Sequence, residues 1–78
     1  MKTIEILGSG CAKCQQLADN AEIAARELGL EYSIEKVTDI DRIAEYGIML
    51  TPGLAVDGKV KSFGRLLSPE KIRPLLEG

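Results

Sequence analysis

The chain has no histidine, no tryptophan, one phenylalanine and two tyrosines among 78 residues. Without histidine there can be no Ser-His or Cys-His catalytic pair and no mixed Cys/His zinc site. No apolar run reaches the length needed to cross a bilayer. The start, MKTIEILGSG, carries one lysine before a strand-like segment interrupted by Glu5, so no targeting segment is read there and a cytoplasmic chain without membrane association is expected. Charge of one sign is also scarce: ten basic against twelve acidic residues leave a net charge of -2. No basic stripe with interleaved aromatics appears, and nucleic acid is not an expected partner. Repeats, linkers and low-complexity stretches are missing as well.

The chain is 45% hydrophobic and 28% charged with both signs mixed, the composition of a folded globule. Two separate cores would each be too small to offset chain entropy, so one domain over residues 1–78 is expected. Residues 2–7, KTIEIL, read as a strand that stops at Gly8. From Cys14, the positions Leu17, Ala18, Ala21, Ala25 and Leu28 recur at helical spacing until Gly29, with Ile23 on the opposite side. Residues 31–37 read as a second strand. Thr38 is an N-cap candidate for a short helix whose narrow apolar stripe is Ile40, Ile43 and Ala44, ended by Gly47. Asp57-Gly58 between Leu54–Val56 and Lys59–Phe63 is a strong hairpin signal. Ser68-Pro69-Glu70 opens a last helix with Ile72, Leu75 and Leu76 on one side, and Pro74 predicts a kink or break inside it.

The element order β-α-β-α-β-β-α predicts an α/β fold, with a mixed four-stranded sheet and helices on both faces. The first strand becomes central. Glu5 is then expected to be partly buried near the base of the following loop, and a solvated position near the sheet end is preferred for it over a functional one.

The only two cysteines sit in GSGCAKC, residues 8–14. A bridge between Cys11 and Cys14 would close too small a loop to restrain the unfolded chain, so a structural staple is a poor reading. A structural zinc site would need two further soft ligands that the chain lacks. Residues three apart in the first turn of a helix lie on one face, with Cβ atoms about 5–6 Å apart, within a small adjustment of disulfide geometry. Cys11, at the helix start, gains thiolate stabilisation from free backbone N–H groups and the helix dipole, and reads as the attacking sulfur. Cys14 lies one turn in, on the apolar stripe, and reads as the resolving sulfur. Lys13 adds a cation nearby or simply points into water. Thr51-Pro52 ends the apolar segment GIML immediately before a strand. A soft-metal carrier holding copper(I) through the same two cysteines is the alternative; such domains usually carry methionine where Ser9 stands, and they end on a strand rather than a helix.

These residues together resemble the thioredoxin superfamily over nearly the whole chain, in particular its compact redox-active disulfide members. The GxGCxxC loop, the early TPG and the short length carry the likeness. The resemblance implies a compact thioredoxin fold and a thiol-disulfide oxidoreductase that reduces protein disulfides and carries electrons from a thioredoxin-reductase-like donor. It implies no cofactor and no resident metal, and a monomer is expected. Cys11 and Cys14 match the nucleophilic and resolving cysteines, and Pro52 matches the cis-proline that follows a substrate-pairing residue, here Thr51. Gly10, Ala12, Lys13 and Gly64 complete the expected substrate surface. CAKC replaces CGPC, and Gly10 stands where thioredoxins carry a tryptophan. Counting back from Cys11, Glu5 takes the place of a buried aspartate that assists the resolving cysteine, but it is left outside the expected site. The paired glycines of glutaredoxins are missing after Phe63, which disfavours glutathione binding.

Overall fold

The computed structural model describes residues 2–8, 10 and 12–77. Strand β1 (Lys2–Leu7) is followed by α1 (Ala12–Glu27), β2 (Tyr32–Val37), α2 (Ile40–Glu45), β3 (Gly53–Val56), β4 (Lys59–Phe63) and α3 (Pro69–Glu77). The sheet order is β2-β1-β3-β4, with β1 parallel to β2 and antiparallel to β3. This is the mixed four-stranded sheet and element order expected of a thioredoxin fold.

Alternation along β1 explains why the sheet has two different sides. Ile4 and Ile6 project into a cluster with Leu17, Ala18, Ala21, Ala24 and Ala25 of α1, Leu54 and Val56 of β3, and Ile72 and Leu76 of α3. The run of alanines lets α1 lie close to the strands. Leu7 points the other way and packs with Val37, Ala55, Ile43 and Ile48 beneath α2. Helix α1 ends as its composition suggests: Gly29 takes a left-handed φ of 67°, its N–H donates to Arg26 O, and Leu30 N–H donates to Ala25 O. This paired closure needs a residue that accepts positive φ.

The hairpin turn Asp57-Gly58 has φ values of 52° and 83°, both in the left-handed region that a tight two-residue turn requires. The turn is tied back to β1, since Asp57 N–H donates to Thr3 O and Thr3 N–H donates to Asp57 Oδ1, each at 2.9 Å. The β3–β4 register shifts between Leu54 and Ala55: Leu54 faces Ser62 and Ala55 faces Val60, leaving Lys61 as the extra residue of a bulge.

Three local expectations change. The N-cap of α2 is Asp39, not Thr38, because the Asp39 carboxylate accepts from Asp41 N–H at 2.9 Å. The helix has only six residues, so it turns a single apolar side chain, Ile43, into the core. Ile40 is 77% exposed and Ala44 is also exposed. Finally, α3 runs unbroken through Pro74. Pro74 and Glu70, whose carbonyl would have received the missing N–H, are both exposed, so water can serve that carbonyl while buried Ile72 and Leu76 hold the helix down.

Candidate active site

The site forms at the carboxyl end of β1, where the chain leaves the sheet and enters α1. Gly8 is buried, and its N–H donates to Val37 O at 3.0 Å, fixing the backbone as it leaves the sheet. Gly10 is exposed, as are Ala12 and Lys13 in the first turn of α1. Cys14, the third residue of α1, is only 4% exposed and continues into the packed row of Leu17 and Ala18. Cys11 lies outside the described residues, and so does Ser9.

Two other segments meet this corner. The Thr51–Pro52 peptide is cis, with Thr51 exposed and Pro52 buried. Gly64 N–H donates to Pro52 O at 2.9 Å, which pins the end of β4 beside it. A methyl group placed on Gly8 would lie 3.7 Å from Thr51 Cβ and 3.4 Å from Cys14 Cβ, and would overlap Cys14 Sγ. Residues 8, 14 and 51 therefore converge on one point. A small recess beside it is lined by Ile6, Gly8, Gly10, Cys14, Gln15, Lys36 and Thr38. Lys36 Nζ donates to Gln15 Oε1 at 2.7 Å, which sets a cation on the rim of the recess that contains Cys14. Around Thr51 the surface is apolar: Met49 is 94% exposed, Leu50 61% and Phe63 50%.

Comparison with known proteins agrees with this fold. A family model described as a thioredoxin domain matches residues 2–77. The chain belongs to the thioredoxin domain family. A thioredoxin of Methanothermobacter thermautotrophicus is 47% identical over 76 residues, covering 97% of this chain and 99% of that protein. A thioredoxin of Methanocaldococcus jannaschii is 42% identical over 77 residues, covering 99% of this chain and 88% of that protein. Membership in this family supports a thiol-disulfide oxidoreductase role. The copper-carrier alternative finds no support: residues 40–45 are helical, and the described chain ends on α3 rather than on a strand. Among the described residues no helix is long and apolar enough to cross a membrane.

The largest departure from the sequence reading is Glu5. It is 7% exposed rather than solvated, and its carboxylate is fully engaged. Glu5 Oε2 accepts from the Tyr46 hydroxyl, and Oε1 accepts from Gly58 N–H at 2.9 Å. Through this bond the Glu5 carboxylate raises the Tyr46 pKa above its ordinary value, with burial adding to the shift. By alternation Glu5 shares the face of Leu7, the α2 side, while Cys14 belongs to the α1 side. The carboxylate is thus anchored at the hairpin turn rather than under the cysteine.

Sequence reasoning missed Gly8 and Lys36 as neighbours of Cys14. In the sequence Gly8 reads only as the end of a strand. The signal for Lys36 lies in the parallel pairing of β1 with β2, which sets it opposite Ile6 and hence on the α1 face.

Proposed function

We propose that this thioredoxin-family chain, acting as a single domain, reduces protein disulfides through a reversible Cys11–Cys14 couple. The observation that carries the reading is the convergence of the buried Cys14 with exposed Thr51 over Gly8, beside an open apolar rim. A protein-sized substrate can approach from the Gly10, Ala12 and Lys13 side, while Thr51, Pro52 and Gly64 form the opposite wall.

The cycle runs in two exchanges. The Cys11 thiolate attacks one sulfur of the substrate disulfide; a Cys11–substrate S–S bond forms, and the other substrate sulfur leaves as a thiolate that takes a proton. Cys14, having lost its proton, then attacks the Cys11 sulfur. The intramolecular bond forms, the mixed disulfide breaks, and the second substrate thiol departs. Two electrons have moved from the protein to the substrate, and a thioredoxin-reductase-like donor returns them. Burial of Cys14 keeps it from outside oxidants until the mixed disulfide brings its target within reach. A monomer in the cytoplasm fits this cycle, because a reducing compartment keeps the pair in its dithiol form.

The test is a redox titration in a dithiol/disulfide buffer, with a midpoint expected between about -220 and -300 mV. Cys11→Ser should abolish disulfide reduction, and Cys14→Ser should accumulate a covalent mixed disulfide with a protein substrate, seen by mass spectrometry. Equal, mild losses in both variants, or no reversible couple, would reject the reading.

A further inference from the structure

A cleft of about 500 Å³ runs along the end of β4, with Leu50, Phe63 and Gly64 supplying its apolar lining and Lys61 and Arg65 its charges. Its apolar wall is fixed to the segment that carries Thr51. Gly64 takes a left-handed φ of 72°, and a methyl group placed on it would lie 3.1 Å from both Cβ and Cδ1 of Leu50, so the Leu50 side chain rests directly against the bare backbone. The Gly64 N–H bond to Pro52 O holds the same residue from the other direction. Lys61 is partly buried and Arg65 exposed, and neither forms an ion pair among the described residues, whereas Arg26, Arg42 and Arg73 each have a glutamate partner. No carboxylate among the described residues lines the cleft. The nearest acid along β4 belongs to the next recess, where Glu45 stands with Arg42, Tyr46 and Gly58.

We propose that this cleft docks an acidic segment of the protein partner, whose carboxylates meet Lys61 and Arg65 while an apolar side chain beside them covers Leu50 and Phe63. The inference rests on the disulfide-reductase reading above and narrows its substrates to proteins with acidic residues flanking the disulfide. Two exposed cations in open water would attract such a segment only weakly. Here an apolar side chain seated on Leu50 and Phe63 excludes water from the edge of the pairs, which reduces their screening. The charge balance also orients the partner. The chain as a whole has a net charge of -2, so an acidic segment is repelled by the molecule and attracted at this end of β4. Because Leu50 directly precedes Thr51, a segment lying in the cleft continues without a gap into the wall formed by Thr51 and Pro52.

The test uses two peptides, each closed by its own disulfide and carrying one phenylalanine, that differ only in having glutamates or glutamines around the cysteines. Their single-turnover reduction by the pre-reduced chain gives a ratio of second-order rate constants, glutamate over glutamine. Glutamates also alter the peptide's own thiols, so the deciding quantity is how that ratio changes in a variant. With Lys61→Gln and Arg65→Gln combined it is expected to fall about fivefold at low salt and by less at high salt. Lys2→Gln combined with Lys71→Gln removes the same charge from β1 and α3 and should leave the ratio within twofold. An unchanged ratio in the first variant, or an equal fall in the second, overturns the proposal. If neither peptide is reduced, the disulfide-reductase reading is rejected instead, and the cleft is judged by binding alone. A labelled glutamate peptide with serines in place of its cysteines should then bind the Lys61→Gln, Arg65→Gln variant about fivefold more weakly than the unsubstituted chain. Equal affinity for the two chains overturns the docking site.

Discussion

The two faces of β1 carry opposite kinds of polarity. On the α1 side, Ile4 and Ile6 lead to Cys14 in a largely apolar setting, with Lys36 and Gln15 at the rim. On the α2 side, one residue away, Glu5 is buried with two donors around it, and beyond it Arg42 pairs with Glu35 at 3.1 Å. One face keeps a polarisable sulfur buried beside apolar side chains; the other saturates a carboxylate so that it can remain inside. The difference teaches that a buried acid close in sequence to a cysteine can be bound on the opposite face of the sheet. In this chain Glu5 fastens α2 and the hairpin turn to the central strand.

If that division holds, changes on the α2 face should alter stability and leave the redox couple untouched. The largest effect is expected from Glu5→Ala, which strips both Tyr46 and Gly58 of their acceptor. Stability in urea should drop by about 3 kcal/mol, while the midpoint potential stays within about 10 mV. A potential that moved by a tenfold equilibrium shift would break the comparison. Tyr46→Phe is the milder form, expected to cost about 1–2 kcal/mol because one carboxylate oxygen keeps its Gly58 partner.

Tyr46→Phe also has a pH signature. The Tyr46 pKa is raised by its bond to Glu5, so the folded chain holds that proton more tightly than the unfolded chain does. The contribution is complete below the ordinary tyrosine value of about 10 and is lost as pH rises through the folded value. Urea midpoints measured from neutral to alkaline pH should fall less steeply for Tyr46→Phe than for the unsubstituted chain. The smallest effect belongs to the α1 face. Lys36→Met should slow release of the mixed disulfide roughly twofold, since an exposed cation favours the Cys14 thiolate only weakly. Its stability should change by less than about 0.5 kcal/mol. Rapid-quench measurement of mixed-disulfide decay would show whether the slower step is the Cys14 attack.

Much of this was legible in the sequence where local chemistry decided it. Asp57-Gly58 specifies its own turn, Gly29 its own helix end, and the alanine positions of α1 their buried face. The cysteine spacing and Thr51-Pro52 pointed to segments of which Cys14 and Thr51 come together over Gly8. What stayed hidden depended on partners far along the chain. Glu5 meets Tyr46 at a sequence separation of 41 and Gly58 at one of 53, and no periodicity encodes such a meeting. Thr38 and Asp39 are both good caps, and only the placement of the first helical turn separates them. Pro74 breaks a helix where its lost bond would be buried, and burial at that point is a tertiary property. Gly8 looked like an ordinary strand ending because glycine advertises flexibility more loudly than it advertises room.

The bulge at Lys61 bears on how the molecule behaves in a crowd of its own copies. β4 forms one rim of the sheet, and a straight rim offers its unpaired N–H and C=O groups to any passing strand. The extra residue interrupts that row, and Lys59 and Lys61 add positive charges that repel an identical rim. The β4 rim is thereby a poor template for the same rim of a second copy.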